Sequence, residues 1–206
     1  MSWSGNKKHA FTLVEVLATV AIIAILAGIL IPTIGSAIHK AEIARAKSEV
    51  MAIESAWKQY FLEYGKWPVD YSLLKLMGGG LPQYDADETK SKGIEMLAPV
   101  VDLLTGNAVI NEPYTNGIHN PKTQSYLEIF GDSISTSTSA AFFGAFVDPW
   151  GRPYKFLLDT SYDNKIEAGP SVDTEVLKTV IVWSRGLDGI DSNITDRVDD
   201  IRSWSE

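Results

Sequence analysis

From Val16 to Ile38 the chain runs through 23 positions without a charged side chain. At a rise of about 1.5 Å per residue, a helix of that length crosses a hydrocarbon core of about 30 Å, so the pattern predicts a membrane span. After Lys40 the pattern turns amphipathic. Ile43, Ala46, Val50, Ile53, Trp57, Tyr60 or Phe61, and Tyr64 recur at alternating spacings of three and four, while Lys40, Glu42, Arg45, Lys47, Glu49 and Lys58 fall elsewhere. The same helix is therefore expected to continue beyond the membrane and lay its apolar stripe on the sheet of a globular head. A coiled coil is the alternative, but about three heptads with mixed core residues make a weak seam. Gly65 is placed to end the helix as a C-cap, and Trp67-Pro68 forbids its continuation.

Beyond the helix the signals are turns and short strands. Asp148-Pro149-Trp150-Gly151-Arg152-Pro153-Tyr154 reads as a turn, with Tyr154 to Leu158 and Val176 to Trp183 as strands and a polar loop at Asp163-Asn164 between them. The stretch 81–140 is harder to read. It has a glycine loop before it, a candidate short helix from Gly93 to Leu104, turn formers from Asn107 to Lys122 and a polar run from Ser133 to Ser139. It reads as an insertion between helix and sheet. Tyr114, Tyr126, Phe142 and Phe143 are either core or a carbohydrate platform, with core the expected role. The fold class expected is α+β, a long N-terminal helix packed on a small antiparallel sheet.

Composition narrows the function. The chain has 206 residues, no cysteine and a formal charge of −8. No disulfide can staple the head, and the acidic balance argues against nucleic acid as a partner. The three histidines, His9, His39 and His119, are far apart, and no nucleophile elbow, phosphate-binding glycine loop or zinc-type histidine pair is present, so an enzyme is not expected.

One carboxylate breaks the apolar stretch near its start. An acidic residue at mid-helix costs about 2.5–3.5 kcal/mol on insertion scales, so Glu15 calls for a partner. Lys7 and Lys8 precede it, and by the positive-inside tendency they keep the N-terminus cytoplasmic. The run Lys7-Lys8-His9-Ala10 followed by Phe11-Thr12-Leu13-Val14-Glu15 resembles the N-terminal signal of type IV pilins and type II secretion pseudopilins. The resemblance implies that a prepilin peptidase cuts between Ala10 and Phe11 and methylates the new amine, although that family usually has glycine where Ala10 stands. It implies that Glu15 meets the amine on Phe11 of a neighbouring subunit, and that a bend at Pro32, near Gly28, lets helices pack into a filament. An ordinary proline kink in a membrane anchor reads the same from sequence, and a snorkelling Glu15 without a function is the plain alternative.

Two further matches lie near the C-terminus. The turn from Asp148 to Tyr154 resembles a signature of the major pseudopilin, with turn geometry and packing the expected roles of Asp148 and Trp150. Five aspartates, Asp188, Asp191, Asp196, Asp199 and Asp200, fall within 13 residues, an oxygen-rich composition that suits calcium. Ser184-Arg185-Gly186-Leu187-Asp188-Gly189 with Asp199-Asp200-Ile201 resembles the calcium loop of that subfamily. The resemblance implies side-chain ligation by Asp188, Asp199 and Asp200 and an oxygen from Ser184 or Leu187. A solvated acidic tail, partly neutralised by Arg185, Arg197 and Arg202, is the alternative.

The organisation expected is a cytoplasmic leader over 1–10, a membrane and polymerisation helix over 11–38, its amphipathic continuation over 39–64 and a periplasmic head over 65–206. The role this resemblance implies is a structural subunit anchored in a bacterial inner membrane. Its implied partners are further copies of itself, other pseudopilins, the prepilin peptidase and the assembly platform of the inner membrane. The alternative is a membrane-anchored minor pilin or recognition module whose insertion binds a glycan or protein.

Overall fold

The computed structural model describes residues 12–68, 93–106, 119–129, 131–138, 142–166, 176–190 and 199–204, the side chains at 32 and 33 excepted. The first long pattern is realised as one helix, α1, Leu13–Tyr64. It is continuous through position 32. Gly65 follows in the left-handed region at φ 65° and its N–H donates to the Phe61 carbonyl at 2.8 Å, the expected C-cap.

The chain divides into two compact units, Met1–Glu42 and Ile43–Glu206. In the first, α1 is apolar and bare. No residue of its most apolar eighteen-residue stretch is buried, and Leu17, Ile23, Ile25 and Ile29 are all more than 60% exposed. In the second, α1 supplies Ala46, Val50, Ile53, Trp57 and Tyr60 of the stripe read from the sequence to the core, and Ala56 with them.

Among the described residues the sheet has four antiparallel strands in chain order: β1 Ile94–Glu95, β2 Lys155–Leu158, β3 Val180–Ser184 and β4 Ile201–Arg202. β3 begins four residues later than the strand expected from Val176, because Val176 forms a bridge with Ile166 instead. The expected helix over Gly93–Leu104 is divided between β1 and α2, Ala98–Thr105.

The described parts of 81–140 pack into the core and the sheet. β1 is a sheet strand, and Met96, Val100, Val101, Leu103, Leu104 and Leu127 belong to the same core as Trp57 and Phe156. Polar contacts knit this stretch to α1: the Tyr60 hydroxyl donates to the His119 carbonyl at 2.7 Å, and that of Tyr64 to Asn120 Oδ1 at 2.9 Å. Tyr126 packs edge-on against Tyr60, in its expected core role. Phe142 and Phe143, in contrast, are exposed by 39% and 57%, and Tyr114 lies outside the described residues.

Two carboxylates on α1 reach distant parts of the head. Glu49 accepts from Arg45 at 3.0 Å and Ser133 at 2.7 Å through Oε1, and from the Tyr154 hydroxyl at 2.5 Å through Oε2. Burial and the Glu49 carboxylate hold the Tyr154 phenol far above its ordinary range. Glu54 lies within the apolar stripe and is itself buried. It accepts from Lys58 at 2.6 Å and from Lys178 at 3.1 Å, and Lys178 also donates to the Ser203 carbonyl at 2.6 Å. This chain of contacts fastens the residues after β4 to α1.

Burial pushes Glu54 up, but hydrogen bonds from Lys58, Lys178 and Ser203 outweigh it and hold the carboxyl below its usual range. A carboxyl lowered by folding adds stability that is fully present above its unfolded pKa and is lost as pH falls through the folded value. Glu54→Gln is therefore expected to cost about 1.5–3 kcal/mol at pH 7. The difference from the unsubstituted chain should shrink below about pH 4. Urea melts of the full chain in detergent from pH 3 to 7 measure this, and a pH-independent difference is the contrary result. Asp148 has the opposite sign: burial raises it, so its contribution is present at low pH and is lost as pH rises through its folded value.

Candidate functional site

At the start of α1, Thr12 and Glu15 form a reciprocal cap. The Thr12 backbone N–H and hydroxyl donate to Glu15 Oε2 at 2.8 and 2.7 Å, and the Glu15 N–H donates to Thr12 Oγ1 at 3.3 Å. This is the capping box that Thr-x-x-Glu encodes, with each side chain satisfying a backbone donor that the first helical turn leaves free. The sequence reading looked to a neighbouring subunit for Glu15 and missed Thr12, although the spacing of the two residues carries the signal. Ala10 and Phe11 lie outside the described residues.

The second candidate site joins three segments at the end of the sheet. Asp148 organises the turn before β2: its Oδ1 accepts the N–H groups of Trp150 at 3.1 Å and Arg152 at 2.9 Å. Its Oδ2 accepts the Ser184 hydroxyl at 2.6 Å, and Ser184 Oγ in turn accepts the Gly186 N–H at 3.1 Å. Asp148 thus has the turn role expected of it. Ser184 is fully buried, with its hydroxyl engaged on both sides.

Past Ser184 the loop lies against Asp199. Asp199 Oδ2 accepts the Asp188 N–H at 3.0 Å, while Asp188 turns its own Oδ1 to the Ile190 N–H at 2.8 Å. Gly186 is required here by two constraints. Its φ is 61°, and a Cβ would sit 2.4 Å from the Asp199 carbonyl oxygen. Arg152 donates through Nη1 to the carbonyls of Gly186 at 2.7 Å and Leu187 at 3.1 Å. Asp200 has a buried carboxylate 3.5 Å from the Arg202 guanidinium, and Arg185 pairs with Glu95 at 3.1 Å.

The structure therefore brings Leu187, Asp188 and Asp199 into one loop cluster. It sets Ser184 beneath them on Asp148 and pairs Asp200 with Arg202. Asp191 and Asp196 lie outside the described residues. The donors are all oxygen, the kind calcium takes. Hydrogen bonds engage several of them, and among the described residues no three carboxylates or imidazoles converge closely enough to hold a metal. Arg152 was not singled out from sequence, because its contact partners lie 34 and 35 positions away.

Residues 5–31 match the family described as the prokaryotic N-terminal methylation motif. Three relatives carry the name type II secretion system core protein G. The one from Pectobacterium carotovorum subsp. carotovorum is 30% identical over 74 residues, 36% of this chain and 47% of that protein. That from Aeromonas hydrophila is 24% identical over 152 residues, 74% of each. That from Escherichia coli K12 is 32% identical over 63 residues, 31% of this chain and 43% of the relative. The matched region spans about half the length of the first and third relatives and three quarters of the second. No solved structure matches the chain. A methylation-motif N-terminus runs into a bare apolar helix and a helix-on-sheet head, a pilin-like layout, and the chain is similar to the core protein G of type II secretion systems.

Proposed function

We propose that this chain is a structural subunit of a pilin-like filament, anchored in a bacterial inner membrane and cut by a prepilin peptidase between Ala10 and Phe11. One observation carries the reading. The same helix that buries Trp57 and Tyr60 in the head leaves its first 18-residue apolar stretch wholly uncovered. Apolar surface of that extent needs lipid or like helices around it. In the membrane it is an anchor; in a filament the helices of other copies or other pseudopilins replace the lipid, with Pro32 within the packed region. The periplasm is the compartment proposed for the head, from the basic Lys7 and Lys8 before the span.

The test is the intact mass and N-terminal residue of the protein recovered from membranes of cells that contain the peptidase. A start at N-methylated Phe11 is expected; a start at Met1 or beyond Ile38 would remove the filament reading. Phe142 and Phe143 favour a second reading, a minor subunit or recognition module, because both stay exposed on the head. A chain that forms filaments alone supports the first reading, and one that never enters them supports the second.

Calcium binding at the loop of Ser184, Leu187, Asp188, Asp199 and Asp200 belongs to the same proposal. Its support is the all-oxygen donor set and the contact between the 184–190 loop and Asp199. The ion would help hold the C-terminal segment in a chain that has no cysteine. Calcium is expected to raise the melting temperature of the full chain in detergent above that of a sample in EDTA. Equal melting temperatures would remove calcium from the account.

A further inference from the structure

The loop after β3 is held from two sides by opposite charges. On one side the Asp188 N–H donates to the Asp199 carboxylate at 3.0 Å. On the other, two successive carbonyls, those of Gly186 and Leu187, converge on one nitrogen of the Arg152 guanidinium at 2.7 and 3.1 Å. Gly189 makes room for that guanidinium: a Cβ there would stand 2.3 Å from Arg152 Nε, and its φ of 75° suits glycine. The arginine is itself fixed, since its backbone N–H donates to Asp148 Oδ1 at 2.9 Å and its carbonyl accepts the Asp148 N–H at 2.8 Å. Asp148 also holds Ser184, where the loop begins. A cation that gathers consecutive backbone carbonyls organises a loop as a metal ion does, here with a guanidinium in the cation's place.

We propose that Arg152 is the resident cation of the 184–190 loop, closing it through the Gly186 and Leu187 carbonyls with no divalent ion needed. The consequence concerns the oxygen of Leu187, which the calcium reading also uses. Arg152 engages it already, so the loop keeps its shape without metal, and calcium enters a loop already formed. The part of the proposal that concerns calcium rests on the function proposed above; the part that concerns Arg152 does not.

The experiment is hydrogen exchange of the full chain in detergent, in EDTA and in excess calcium chloride, for the unsubstituted chain, Arg152→Met and Arg152→Lys. The unsubstituted loop is expected to be protected in EDTA. In Arg152→Met the amides of 186–190 are expected to exchange about tenfold faster or more in EDTA, while those of β2 and β3 stay unchanged. Arg152→Lys, which keeps the charge but not the planar fork, should fall between. Gly189→Ala fills the space under the guanidinium and should loosen the same amides. It serves as the second variant if Arg152→Met does not fold. Calcium that restores protection to Arg152→Met supports one cation site served by either ion. Protection lost in Arg152→Met and not regained with calcium supports Arg152 and removes the calcium reading. Three results overturn the proposal: an unchanged loop in both Arg152→Met and Gly189→Ala, acceleration spread evenly through β2 and β3, or an unsubstituted loop protected only when calcium is added.

Discussion

Glu15→Val is expected to leave the chain in the membrane and to remove it from filaments. The substitution makes the apolar helix a better membrane segment, since the one acidic residue of the span is gone. Within one chain the loss is small: the box with Thr12 goes, at a cost of about 1 kcal/mol to the first helical turn. Between chains the expected loss is large, under the proposal that Glu15 meets the Phe11 amine of a neighbouring subunit. A Phe11 amine left without its carboxylate in a low-dielectric layer typically costs about 3–5 kcal/mol, a hundredfold or more in each subunit contact. Thr12→Val separates the two effects, because it removes the hydroxyl half of the box and keeps the carboxylate. Filament yield and cross-linking between subunits should be near normal for Thr12→Val and absent for Glu15→Val. Assembly of Glu15→Val at the unsubstituted level would leave Glu15 with the capping role alone.

Trp57→Ala is expected to destabilise the head by about 3–5 kcal/mol. The side chain is 0% exposed and joins three parts of the chain. It lies tilted on Phe156 of β2 at 4.9 Å and stands edge-on to Tyr60 of α1 at 5.9 Å and to Trp67 past the helix end at 6.4 Å. At the size of this head the loss corresponds to a fall of about 10 °C in Tm. Trp57→Phe should cost far less, because the indole N–H it deletes is buried without a hydrogen-bond partner among the described residues. Denaturant melts of the two variants in detergent measure the contrast, and equal losses would mean that the ring volume does not matter.

Part of this structure could be read directly. The stripe from Ala46 to Tyr60 was visible because a helix buries side chains at intervals of three and four, so neighbours in space are neighbours in sequence. The turn at Asp148 was legible for the same reason, since its carboxylate bonds amides two and four residues on. The middle of the chain was not legible. β1 has only two residues, and its partners in β2 are about sixty positions away. No local periodicity marks so short a strand, and nothing local showed that the residues around it form core. Glu54 posed a related problem. A carboxylate within the apolar stripe has no local explanation beyond Lys58, and another of its partners, Lys178, is 124 residues distant.

The candidate sites divide the same way. Acidic residues concentrated after β3 showed in composition alone, as did the Thr12-to-Glu15 spacing. That a guanidinium from the turn before β2 faces the loop carbonyls could not be read, because it depends on β2 and β3 pairing side by side.

By itself, the sequence determined the long helix, its bare apolar first part, its C-cap and the α+β class. All of these follow from local periodicity, capping chemistry and the cost of exposing apolar surface to water. Only the tertiary structure decided which polar side chains meet: Glu49 with Tyr154, Glu54 with Lys178, Arg152 with the loop it closes. Such pairs are brought together by strand register and core packing, and no local pattern in the chain records the distance between two residues far apart in it.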